Sequence, residues 1–476
     1  MLFPTFTFFL FFAAVLLFNW WLKKWPLLWR LFLLLISYFF YATWNFRFLF
    51  LLFGITLANF FFGRLISKEQ DEKKRRLVLF AAVVINLLFL GFFKYYGFFR
   101  SSFSALLKIF GSSPQFLLLH LILPVGLSFY ILRAISYNID IFRRQLKLTV
   151  SLLDFSLYIA FFPQLLSGPI MRPTEFLPQL ENGGAKTIEN FPEQIALILS
   201  GLFKKLVIAS YLTTNIVDNV FAVPQNHSAL AVLLAIYAYA VVIYCDFSGY
   251  SEMAIGIAGL MGFKSPQNFN APYLALNIQD FWRRWHITLS NWLRDYVYIP
   301  LGGNRKGKLR KYLNLLVTMF VSGLWHGTGL HYVIWGLFHG FGLAAFQIID
   351  EKEQQLPAPK TLLIKLIKKF ASWFITLHFV CFGWIFFRAE SVSDAFLIIK
   401  QLFNSSGPAE PLPLYVIYLI PLCFLGFFFG ERIKKLFVSV QEKIPFFFQI
   451  LLVAILVVLI LKLGPEIIPP FIYFNF

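Results

Sequence analysis

Apolar windows without a formal charge recur along this chain, and they leave it few folds to choose from. Residues 2–22, 31–46, 48–63, 77–93, 109–132 and 155–171 are such windows, each near the length that a tilted or snorkelled helix needs to cross a hydrocarbon core. None alternates apolar with polar residues, so transmembrane strands, about half as long and two-faced, do not fit. The expected fold is an all-α polytopic membrane protein. Residues 370–387, 411–430 and 444–461 supply further windows, and the whole reads as one domain, 1–476, with about 11 transmembrane helices in a range of about 10–13, plus re-entrant and interfacial pieces.

Composition agrees. Hydrophobic residues make up 59% of the 476 and charged residues 14%, with mean hydropathy +0.71, which excludes a soluble globular fold. The net charge of +19 is carried between the apolar windows, where positive-inside retention accounts for it and nucleic-acid binding does not. With the amino terminus outside, the loops through residue 150 place twelve lysines and arginines, Lys147 among them, in the cytoplasm, against Arg47, Lys94, Arg100 and Lys108 outside. Lys23 and Lys24 follow the first window without a small-residue cleavage site, as in a retained span rather than a removed signal peptide. Cys245, Cys381 and Cys423 are far apart in apolar surroundings, which suits neither a disulfide framework nor a zinc site and makes them lipid- or core-facing fillers.

The middle of the chain is less regular. Lys204 and Lys205 interrupt residues 191–213, and residues 219–245 contain Pro224 and end at Asp246. Residues 264–311 are too polar to cross lipid and too aromatic for a flexible linker, so they are expected to fold back into the protein. Residues 312–349 then run 38 residues without a formal charge. As one helix at about 1.5 Å per residue they would overshoot the bilayer, so this stretch must bend, break or re-enter.

Ionisable residues at membrane depth are costly and gather around internal cavities. Two groups stand out: residues 244–252 continuing through 281–305, and Ser322-Gly323-Leu324-Trp325-His326-Gly327-Thr328-Gly329. His326 lies within the uncharged stretch, flanked by glycines that allow backbone or ligand to approach closely. It reads either as a hydrogen-bonded core residue or as a neutral imidazole held ready as a general base. His331 and His339 read, from position alone, as structural. A metal site is not supported: there is no His-Glu-x-x-His, and His326 and His331 are five residues apart, off one helical face. Residues 302–308 mimic a phosphate loop, but Leu309 stands where Ser or Thr is required, and no Gly-x-Ser-x-Gly occurs.

The runs FPQLLSGPIMRP (162–173), YCDFSGYSEMAIGIAGLMGF (244–263), FWRRWHITLSNWLRDYVYIPLGGNR (281–305) and GLWHGTGLHYVIWGLFHG (323–340) resemble the membrane-bound O-acyltransferase family. Within it they are similar to the bacterial branch that O-acetylates alginate. With residues 125–144 and 384–389, the similarity covers most of the chain in order.

The resemblance implies a multi-helix acyltransferase around a central tunnel, with an acyl thioester on the cytoplasmic side and the acceptor on the other. It makes His326, in Trp-His-Gly, the catalytic histidine and His286, in Arg-Trp-His, the second polar active-site position. Asp246, Tyr250, Arg283, Arg284, Trp285, Arg294 and Trp325 form the candidate substrate site. Arg283, Arg284, Arg294 and Arg305 would meet the phosphates of a donor such as acetyl coenzyme A, or else snorkel or pair with Asp280 and Asp295. Asp246 would orient a histidine, pair an arginine, or sit in a structural ion pair. No cofactor is expected to stay bound. The expected partners are the lipid bilayer, the acyl thioester, and an exported polysaccharide or an extracytoplasmic acetyltransferase of the SGNH-hydrolase type, at a bacterial cytoplasmic membrane. D-alanyl transfer to teichoic acid from a carrier protein, and a transporter or channel with a path over Asp246, His286 and His326, are the alternatives.

Overall fold

Hydrocarbon offers no partner to a peptide group, so a chain in lipid closes its backbone hydrogen bonds within its own helices. The structure, a computed structural model, describes residues 3–109, 123–146, 150–355, 361–404, 414–465 and 469–472, and among them it is 81% helical with no strand. Lys147 and most of the expected 109–132 window lie outside the described residues, as do the first residues of the 411–430 window. The chain forms two compact units, Met1–Gln194 with Ala254–Pro266, and Ile195–Met253 with Gln267–Phe476.

In the first unit the charge-free windows become helices with recognisable starts. Helix α1 (Phe6–Leu22) is capped by Thr5, α2 (Pro26–Ala42) opens on proline, and α3 (Phe46–Lys68) is capped by Asn45. Then come α4 (Glu72–Ile109), α5 (Leu127–Phe142) and α6 (Leu152–Ala160), the last capped by Ser151. A buried amide cluster ties three of them: Asn86 of α4 and Asn138 of α5 each donate to Asn59 Oδ1 of α3 at 2.7 Å. Such bonds hold apolar helices in register where no hydrophobic force acts between them. The expected 155–171 window is not one helix. It breaks at Phe161 into the single turn Phe162–Leu165, because Pro163 cannot continue the ladder of α6.

Helix α7 (Phe191–Ala222), which belongs to the second unit from Ile195 on, is one long helix holding two π-helical turns, Phe203–Ala209 and Thr213–Val217. A turn at Pro224–Asn226 leads to α8 (Ala229–Leu260), part of the second unit as far as Met253, which runs on through Asp246 rather than ending there. Residues 267–307 fold back as expected, through the short helices α9 (Ile278–Arg284) and α10 (Ile287–Leu293), burying Trp282, Trp285 and Trp292. The uncharged stretch breaks, also as expected, at Gly327–Gly329, giving α11 (Lys308–His326) and α12 (Leu330–Glu353), which pack together. Helices α13 (Leu362–Arg388), α14 (Val392–Leu402), α15 (Leu414–Lys443) and α16 (Phe446–Leu463) follow.

Among the described residues eight helices are long and apolar enough to cross a membrane: α3, α4, α7, α8, α12, α13, α15 and α16. Helices α1 and α2, at 17 residues each, are shorter apolar helices. The protein is therefore a multi-pass membrane protein. Burial separates interior from lipid face: 78% of the apolar window of α8 is buried, against 6% of that of α16, whose Phe446 and Phe447 are exposed. The three cysteines are buried and unpaired.

Candidate active site

His326 is the last residue of α11, and the chain turns there through Gly327–Gly329 into α12. Its ring is buried against Trp325 (centroids 4.9 Å apart), Trp335 (5.0 Å) and Phe387 (5.1 Å). The surrounding glycines make room for neighbouring parts of the chain. A Cβ on Gly323 would strike the Tyr332 carbonyl, one on Gly336 the Met319 carbonyl, and one on Gly327 the Tyr332 ring. The close crossing of α11 and α12 that fixes His326 thus needs Gly at these positions.

His286 caps α10 with its backbone in the left-handed region, φ 41° and ψ 54°, a conformation that non-glycine residues adopt at a cost. Asn268 holds the turn: its carbonyl accepts from Ile287 N–H at 2.9 Å, its side-chain oxygen from Thr288 Oγ1 at 2.9 Å, and its amide donates to Ser251 Oγ of α8 at 3.0 Å. The imidazole is buried between Phe247 (4.5 Å) and Trp325 (6.0 Å), and burial pushes its pKa down to about 3. Trp325 therefore touches both histidines.

A cavity of about 630 Å³ opens beside this cluster, bounded by Gly327, Thr328, Gly329, His331, Tyr332, Phe387 and Arg388 on one side and by Lys205, Tyr239 and Asp246 on the other. Asp246 pairs with Lys205 at 2.6 Å, and both side chains are almost wholly buried. The pair also holds the segment 469–472. Lys205 Nζ donates to the carbonyls of Pro469 (2.8 Å) and Pro470 (3.3 Å), and Ile472 N–H donates to Asp246 Oδ2 at 2.8 Å. Between these bonds the buried Phe471 lies 4.2 Å from the Tyr250 ring. Lys205 belongs to the first π turn of α7, and Thr213 and Val217 of the second also line the cavity. Such turns shift a helix's register and recur at functional sites.

The structure thus brings His286, Trp325 and His326 together, and places Asp246 on the cavity wall with Tyr250 beside its ion pair. The partner of Asp246 is neither a histidine nor an arginine but Lys205. Trp285 is buried among Phe281, Trp384 and Phe269 (5.6, 4.9 and 5.1 Å), one residue before His286. The arginines stand apart from the cavity wall: Arg284 pairs with Asp280 (2.8 Å), Arg294 with Asp295 (2.6 Å), and Arg283 is exposed. Sequence reasoning missed Lys205, Asn268 and the Arg388–Asp218 pair (2.7 Å) on the cavity wall. Lys205 carried a signal, an ionisable residue inside an apolar window, but it reads equally well as the edge of a span. Asn268 carried none. Among the described residues no group of three His, Cys, Asp or Glu side chains could hold a metal ion.

A multi-pass helical fold that sets a buried histidine pair beside a cavity is an arrangement that group transfer within a membrane would need. The model of the membrane-bound O-acyltransferase family matches residues 142–387. The chain is 36% identical to the Probable alginate O-acetylase AlgI of Pseudomonas putida over 94% of each chain, and 40% identical to that of Pseudomonas aeruginosa over 79% of this chain and 70% of the relative. It is 37% identical to the Peptidoglycan O-acetyltransferase of Helicobacter pylori, over 80% of this chain and 75% of the relative. The chain belongs to the membrane-bound O-acyltransferase family and is an O-acyltransferase.

Proposed function

We propose that this enzyme transfers an acetyl group from a cytoplasmic thioester, acetyl coenzyme A or another acyl thioester, to a hydroxyl of an exported polysaccharide or of an extracytoplasmic SGNH-type acetyltransferase, at a bacterial cytoplasmic membrane. The observation that carries this reading is the placing of His326 at a helix end, between aromatic rings and next to the glycine turn that borders the cavity. Relatives named for O-acetylation of two different polymers support acetyl as the group and a polysaccharide as the acceptor class.

His326 is the general base. Its neutral imidazole takes the proton of the acceptor hydroxyl as the oxygen adds to the thioester carbonyl, an assistance worth about 100- to 10,000-fold in rate. The carbon–sulfur bond then breaks, and the thiolate leaves with the proton returned by the imidazolium. A helix carboxyl end carries partial negative charge, which helps a base that must hold that proton. Donors for the oxyanion come best from backbone N–H groups at the start of α12, which borders the cavity, or from His286; Arg284 and Arg294 are engaged with carboxylates. Arg283 and Arg305, both exposed, are left to meet the phosphates of the carrier. A tunnel would let that charged carrier stay in the cytoplasm while only the acyl group moves.

The test uses purified protein in lipid with radiolabelled acetyl coenzyme A, candidate polysaccharides and the extracytoplasmic partner. Turnover by the wild type that disappears in His326→Ala, at equal abundance and insertion, is expected. Undiminished turnover by His326→Ala removes that residue from the mechanism, and a wild type inert toward acetyl coenzyme A but active with an acylated carrier protein replaces the donor.

A further inference from the structure

His339 reads from the sequence as one more structural histidine, yet its surroundings are unusual. It lies on α12 one turn beyond Trp335, with no exposure to solvent. Its ring is enclosed by Trp335 (5.0 Å), Trp282 (5.3 Å), Phe379 (5.6 Å), Phe338 (5.7 Å) and Phe281 (6.3 Å). Neither ring nitrogen has a hydrogen-bond partner among the described residues, and the same holds for the buried indole nitrogens of Trp335 and Trp282. These three rings touch one another, Trp282 and Trp335 at 5.8 Å. Room for the imidazole is made by Gly383 of α13, where a Cβ would lie 2.8 Å from Nε2.

A phenylalanine would suit so aromatic a box, and a buried polar group left unpaired costs about 1–3 kcal/mol. The three rings in mutual contact carry three N–H donors, two indole and one imidazole, and one bare imidazole nitrogen. A single buried water pairs with three of these four groups, accepting from both indoles and donating to the bare imidazole nitrogen. The cluster is joined to the reacting centre through one ring, because Trp335 stands 5.0 Å from His326 with its plane at 87° to the imidazole.

We propose that His339 is a positioning residue for His326. With the indole N–H groups of Trp282 and Trp335 it holds one buried water, and this hydrogen-bonded unit fixes the plane of Trp335, against which the His326 ring stands edge-on. The inference rests on the reading of His326 as the base. A base displaced by a fraction of an ångström loses rate while the substrates still bind, and misplacement near 1 Å costs on the order of 100-fold.

The test compares wild type, His339→Phe and His339→Gln in lipid, each labelled with 5-fluorotryptophan and with the Trp335 fluorine resonance assigned by loss in Trp335→Phe. His339→Phe fills the box and removes an unpaired imidazole, so it is expected to insert and to unfold no more easily than wild type. Its kcat should fall about 10- to 100-fold with KM within about twofold, and its Trp335 resonance should shift or broaden. His339→Gln, which keeps both a donor and an acceptor, should return kcat to within a few-fold and restore the resonance. An unchanged kcat in His339→Phe overturns the proposal, as does a fall in kcat with an unmoved resonance, or a loss that His339→Gln does not relieve. Failure of the base reading is separate, since it appears as retained turnover in His326→Ala while the fluorine response of Trp335 to His339 stands.

Discussion

Removing the ammonium of Lys205 is the most direct challenge to the architecture of the cavity. Lys205→Met keeps the length and apolar stem of the side chain but leaves the Asp246 carboxylate, 3% exposed, without its counter-charge. It also leaves the carbonyls of Pro469 and Pro470 without the donor they share. Breaking one side of a buried pair costs about 3–5 kcal/mol, much of it the price of the charge that stays behind. Lys205→Met with Asp246→Leu removes that stranded charge and should recover much of the loss. Recovery is incomplete, because the Ile472 N–H then lacks its acceptor, at about 1–3 kcal/mol. The double variant therefore falls between wild type and the single variant, with a coupling energy of about 2 kcal/mol. Equilibrium unfolding in mixed micelles, followed by tryptophan fluorescence and helical circular dichroism, reads all four corners of the cycle. The reasoning is refuted by a Lys205→Met protein as stable as wild type, or by losses that simply add in the double variant.

The burial of His286 predicts an acid-sensitive stability. Its folded pKa of about 3 lies below the ordinary value of 6.5, so between those values the unfolded chain binds a proton that the folded chain refuses. Stability is then full above about pH 6.5 and falls as the pH drops toward 3. Unfolding at pH 4.5 and 7.5 should show a larger acid loss for wild type than for His286→Asn, and an equal loss in both would assign the titration to other groups. At the α11–α12 crossing, Gly336→Val meets the Met319 carbonyl and the Gly323 backbone, neither of which can yield. It should cost about 1–3 kcal/mol or more through overpacking and reduce turnover by moving the Gly327–Gly329 turn. Gly54→Ala, with nothing within 4 Å of the added carbon, should instead gain about 0.5–1 kcal/mol. The same unfolding assay checks both, and equal effects would contradict the packing argument.

Periodicity and charge determined the coarse structure of this protein. Charge-free windows must be helices because lipid satisfies no backbone group, and a 38-residue uncharged run must break because the hydrocarbon core is thinner than the helix it would make. His326 stood out in the sequence for a similar reason, since an ionisable residue inside an uncharged stretch is costly unless it has work or partners; a role for His286 came only from the family resemblance of the run that carries it. The sequence could not say which residues meet across helices. Lys205 and Asp246 are 41 positions apart, and their pairing depends on a π turn in α7 and on a segment more than two hundred residues later that supplies the remaining bonds. The shared contact of Trp325 with both histidines, and the Asn268 bonds that hold His286 in a left-handed turn, are likewise products of packing. Local preference and solvent choose helices and their ends, because those depend on neighbours in the chain; a site depends on distances between neighbours in space, which only the tertiary fold sets.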